Sequence, residues 1–122
     1  MDVIAPTKEQ FKAFRDLPRD EPIHMLNFLK YKDRATYGDD IPEGFDPDVT
    51  GKEAYQRYRD VFLGYLHARG GRMVWEGRAD QNFIGAQPEW DDLFIAYYPA
   101  GQDFIDMQFD PICQPSLVHR TA

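Results

Sequence analysis

The sequence predicts an α+β fold, and three observations carry that reading. Its 122 residues are the length of one domain, and a composition 43% hydrophobic and 15% aromatic supplies enough material for one core. Two stretches, around residues 23–31 and 93–98, read as strands that are apolar on both faces. Between them, from Thr50 to the Gly70-Gly71 pair, lies a segment with the cap, length and apolar arc of a long amphipathic helix.

Taken in order, residues 1–20 form a helical lead-in. Thr7 and Gln10 fit a capping box, and Phe11, Phe14 and Leu17 give one apolar stripe before Pro18 ends it. In the strand from Ile23 to Tyr31, alternation puts Ile23, Met25, Asn27, Leu29 and Tyr31 on one face and His24, Leu26, Phe28 and Lys30 on the other. Residues 32–49 are polar, acidic and rich in Gly, Pro and Asp, with no sustained period, and are expected to be a long loop. The helix after Thr50 and Glu53 gathers Ala54, Tyr55, Tyr58, Val61, Phe62, Tyr65, Leu66 and Ala68 on one arc, with Arg57 and Arg59 on its borders.

After the glycines, "RMVWEGRA" alternates Met73, Trp75 and Gly77 against Val74 and Glu76, and "NFIGA" extends or follows it. "QPEWDD" turns the chain into the strand "LFIAYY", and Pro99-Ala100-Gly101 leads to a short helix carrying Phe104, Ile105 and Met107. Asp110-Pro111 fits an N-cap and first helical position, Pro115 is expected to limit that turn, and the tail from Ser116 reads as helix or strand. The order β-α-β-β-α, with two helices on one sheet face, is the ferredoxin-like sandwich. Strands apolar on both sides leave a second sheet face needing cover, and the same face of another copy is the simplest cover, so a homodimer is expected.

A net charge of −7 disfavours nucleic acid and anionic membranes, which require a basic surface. The single cysteine, Cys113, excludes an internal disulfide and suits a reducing compartment. "MDVIAPTKEQ" has neither the basic region nor the apolar run of a secretory signal, and no stretch has the length of a membrane span, so a cytoplasmic protein is expected. Charge is uneven: residues 52–78 hold six basic groups against three acidic, whereas residues 79–119 hold seven acidic and no Lys or Arg. These blocks are either solvated faces or a local anion site.

The segments "PIHMLNFLKYKDRATY", "TGKEAYQRY", "GGRMVWEG" and "IGAQPEWDDLFIAYYPAGQDFIDM" together resemble the bacterial family called domain of unknown function 1330, within the dimeric α+β barrel superfamily. The resemblance implies a ferredoxin-like protomer whose sheet faces its partner's, with a small-molecule pocket between sheet and helices. That superfamily includes muconolactone isomerases, cofactor-free monooxygenases and haem-binding chlorite dismutases. Members similar to this chain often have Ser after the Tyr-Pro pair, where Ala100 stands here; that weakens the helix cap, and Gln102 or Asp103 is expected to supply the acceptor.

No metal set is legible: His24, His67 and His119 have no second ligand at metal spacing, and the calcium-loop imitation from Asp46 puts Arg57 where Glu is required. Phosphate loops and dinucleotide fingerprints do not occur, so no cofactor is expected. The candidates that remain are Asn27, Tyr58, Arg59 and Trp75 as walls of a ligand pocket. Each has a structural alternative: Asn27 bonding to backbone, Tyr58 as core, Arg59 as a rim residue, and Glu76 paired with Arg72 or Arg78. His24 points away from Asn27. If the Asn27 face lies under the helices, His24 meets the other subunit; if the faces are reversed, His24 becomes the pocket's acid or base. The functional expectation is a cofactor-free enzyme acting on a small organic substrate by proton transfer, isomerisation or oxidation, its pocket shielded by the acidic loop. The alternative is a non-catalytic binding or sensing homodimer.

Overall fold

The computed structural model describes residues 5–39, 41–85 and 90–122. They form α1 (Lys8–Arg15), β1 (Ile23–Leu29), α2 (Gly51–Ala68), β2 (Arg72–Arg78), β3 (Asp92–Tyr98), α3 (Gly101–Phe109) and α4 (Cys113–Thr121). The fold is α+β, a three-stranded antiparallel sheet in the order β1-β3-β2 with helices on one face. Among the described residues no helix is long and apolar enough to cross a membrane.

The core follows from the periodicities. Buried positions of α2 recur at Ala54, Tyr58, Phe62 and Leu66, one stripe of a 3.6-residue helix. Tyr58, Phe62 and Leu66 pack on Phe94, Ala96 and Tyr98, alternate residues of β3, together with Met107 and Cys113, while Ala54 packs with Val49 and Ala122. From β1, Ile23, Met25 and Leu29 join the same cluster, while His24, Leu26 and Phe28 are exposed. The face bearing Asn27 therefore lies under the helices, and His24 lies on the open face opposite Tyr97, their ring centroids 5.2 Å apart.

Both capping boxes form: Thr7 with Gln10 and Thr50 with Glu53. α2 ends where Gly70 takes φ +83°, a conformation that favours glycine. At its start, Gly51 donates to the Lys32 carbonyl at 3.0 Å, so close that a Cβ would collide with that oxygen.

Four local expectations are corrected. α3 has no side-chain cap; the amides of Gly101 and Gln102 instead donate to the carbonyls of Glu21 and Arg19, both at 3.0 Å. Gln102 bonds to Asp106, and Asp103 pairs with Arg69, so neither serves as the acceptor. The tail is helical and runs through Pro115, because the third helical residue has no intrahelical partner for an N–H and loses nothing by lacking one. The expected Asp110 cap acts from just outside that helix: its carboxylate accepts from the amides of Ile112 and Cys113, which holds it below the usual carboxylate range. β2 stops at Arg78; Asn82 to Gly85 is not strand, and the last residue of the stretch 82–86 and residues 87–89 of the expected turn lie outside the described residues.

The largest correction is in β2. Met73 pairs with Ala96 but Trp75 pairs with Ile95, a bulge that inserts Val74 and reverses the alternation beyond it. Trp75 and Gly77 consequently share the open face with Ile95 and Leu93, and Glu76 turns to the helix face beside Phe94. The indole of Trp75 lies over Gly77, whose missing side chain leaves it room.

The described residues of the loop 32–49 are held against α2 and α4. Ala35 donates to Val49 at 2.8 Å and Thr36 to the Ala122 carbonyl oxygen at 3.0 Å, while Arg34 pairs with Asp48. Tyr37, Arg57 and His119 meet beneath it, with Phe45 against the imidazole at 4.6 Å between ring centroids.

Candidate functional site

The reversal in β2 creates a polar row at one end of the helix-side sheet face. Register sets Asn27, Phe94 and Glu76 side by side, and Leu29, Asp92 and Arg78 in the next row. The first half of α2 lies against this end, bringing Tyr55, Tyr58 and Arg59. Arg59 Nη2 is 2.6 Å from Glu76 Oε2; the guanidinium side chain is 24% exposed and the glutamate 51%, so the pair sits at a mouth.

Tyr31 closes one side of that mouth. Its hydroxyl donates to Asp92 Oδ2 at 2.7 Å and its amide to Asp91 Oδ2 at 2.9 Å. An aromatic chain then runs inward: Tyr31 to Tyr55 at 5.9 Å between centroids, Tyr55 to Tyr58 at 5.5 Å, Tyr58 stacked on Phe62 at 6.0 Å, and Phe62 to Phe94 at 6.1 Å.

Electrostatics make these phenols proton holders. Burial pushes the Tyr31 hydroxyl above its ordinary value, and its bond to Asp92 raises it further, against a smaller opposing effect from Arg59. Burial likewise raises Tyr55, with Arg59 again opposing, and raises Tyr58. At neutral pH all three are uncharged, so they can line a site or donate a hydrogen bond but do not take protons as bases.

The five predicted residues separate. Asn27 is beneath the helices and donates to the Met25 carbonyl at 3.0 Å, the structural alternative, with Phe94 between it and Glu76 in the row. Tyr58 is 8% exposed and belongs to the core. Arg59 reaches the mouth. Trp75 leaves the group altogether, because the bulge carries it to the open face, and His24 lies on that face as well. Glu76 pairs with Arg59 rather than with Arg72 or Arg78 for the same reason. Tyr31, Tyr55 and Asp92 complete the mouth; the sequence signals for them were that Tyr31 shares Asn27's side of the alternation and that Tyr55 lies on the apolar arc of α2.

Below the mouth the space between sheet and helices is filled by Tyr58, Phe62, Leu66, Phe94 and Tyr98. A recess of about 10 Å³, one water in size, lies elsewhere, between α1 and α3 near Phe14, Ile23 and Ile105. Among the described residues, aromatic side chains take up the volume of this layer.

The fold and site together define an α+β protein with a one-sided antiparallel sheet and an arginine held at its helix-side mouth. No protein-family model matches the chain, and no curated protein does. Among solved structures it is similar to RPA0582, a protein of unknown function from Rhodopseudomonas palustris and a structural genomics target. The two are 38% identical over 100% of this chain and 88% of that one, with a TM-score of 0.87. The methylated RPA0582 protein is 41% identical over 98% of this chain and 85% of that one, with a TM-score of 0.83. The chain belongs to the RPA0582 family.

Proposed function

We propose that the chain is a small-ligand-binding homodimer, joined through the open face of its sheet, with a ligand site in each subunit at the mouth around Arg59. The observation that carries the reading is the open face itself. Leu26 and Phe28 of β1 and Trp75 of β2 are 53, 47 and 52% exposed, on the same side as Leu93, Ile95 and Tyr97. A contiguous apolar face of this kind is an interaction surface, and self-association through a two-fold axis covers it completely with one partner.

This arrangement is that of a ferredoxin-like protomer in a dimeric α+β barrel; the sheet order β1-β3-β2, in which β2 and β1 flank β3, supports it. It accords with the resemblance to the bacterial family called domain of unknown function 1330. A cytoplasmic setting fits the lone, buried Cys113. Binding is favoured over cofactor-free catalysis because the aromatic filling keeps a ligand at the mouth, where the phenols hold their protons.

Light scattering on the eluting protein, wild type against Leu26→Asp, tests the reading. The wild type is expected to elute as a dimer and the variant, with a charge planted on the open face, as a folded monomer. A wild-type monomer at tens of micromolar sinks it.

A further inference from the structure

We propose that Arg59 anchors a site for a small aromatic carboxylate and that the Glu76 carboxylate occupies the position the ligand's carboxylate takes. The inference rests on the ligand-binding reading and names the ligand class. Its starting point is the bulge at Val74, without which Glu76 faces away from the helices. Bulges re-aim side chains and concentrate beside functional sites. Stability is a poor reason for this one, because an ion pair as open to water as Arg59–Glu76 contributes little. What the bulge does accomplish is to hold a carboxylate 2.6 Å from a guanidinium at an aromatic mouth.

The surroundings fit a ring attached to that carboxylate. Tyr31 and Tyr55 stand beside Arg59, close enough for its charge to act on both phenols, and supply apolar faces for an arene. Asn27 lies in the same row as Glu76, on the far side of Phe94. Arginine's planar fork takes a carboxylate by two parallel hydrogen bonds, a geometry that a lone phenol cannot satisfy. Glu76, half exposed, can turn outward into water at little cost, so an incoming carboxylate exchanges one charge-assisted pair for another.

The test is a titration of benzoate, with uncharged phenol as control, into wild type, Glu76→Gln, Glu76→Ala and Arg59→Met, followed by calorimetry. Benzoate is expected to bind both Glu76 variants about tenfold more tightly than wild type, the resident competitor having been removed, and not to bind Arg59→Met. Equal benzoate affinity in wild type and both Glu76 variants overturns the proposal, as does full binding to Arg59→Met. Phenol binding to wild type and Arg59→Met alike, with no gain for benzoate in the Glu76 variants, retains a ligand site but not this one. No binding of either compound to any form removes both.

Discussion

The Tyr37 hydroxyl lies 2.6 Å from His119 Nδ1, joining the acidic loop to the last helix across 82 residues of sequence. Arg57 Nη1 donates to the same phenol oxygen at 3.2 Å and to the Asp46 carbonyl at 2.9 Å. Arg57 donates to the phenol oxygen, which leaves the phenol proton free to bond to Nδ1 of a neutral His119.

A pH dependence follows. Burial lowers the His119 pKa from its usual 6.5, and the nearby Arg57 charge lowers it further. The folded state thus resists protonation more than the unfolded chain does. The contribution of this hub is complete above about pH 6.5 and is lost as pH falls through the lower folded value. Melting of the wild type is expected to drop between pH 7 and pH 5, and His119→Asn to show a smaller drop from a lower starting point. An equal drop in both contradicts the assignment.

Gly77 is where one side chain decides an orientation. A Cβ there would stand 2.7 Å from the Trp75 ring. Gly77→Ala is expected to cost about 1–3 kcal/mol by overpacking and to shift the tryptophan emission as the indole moves off the sheet. Unchanged emission and stability would show that the room at Gly77 does not set the position of the indole.

Along α2 the core and the cap differ in weight. Leu66→Ala, at a fully buried position, is expected to lower unfolding free energy by about 2–5 kcal/mol, and Thr50→Ala, which removes the acceptor for the Glu53 amide, by about 1 kcal/mol. Denaturant titration measures both; a Thr50 effect as large as that of Leu66 would contradict the ranking.

How much of this was legible in the sequence depended on how local its cause is. The caps at Thr7 and Thr50, the stop at Gly70 and the split faces of β1 arise from neighbouring residues, and each could be read. The bulge could not, because "RMVWEG" alternates perfectly on paper and only pairing with β3 inserts Val74. That one residue separated Trp75 from the candidate site and delivered Glu76 to it. The carbonyls of Arg19 and Glu21 that cap α3, and the meeting of Tyr37 with His119, are likewise tertiary and leave no periodic trace. Which face of β1 lies under the helices was left open by two equal alternations, and only burial places Asn27 on the helix side.

The central claim is that the open sheet face is covered by a second copy, and sedimentation equilibrium of wild type beside Ile95→Asp tests it most directly. Ile95 lies on β3, the middle strand of that face. The account predicts a wild-type mass of 28.4 kDa, twice the chain's 14.2 kDa, and 14.2 kDa for the variant. A wild type that sediments at the single-chain mass, or an Ile95→Asp protein that stays at twice it, would contradict the account.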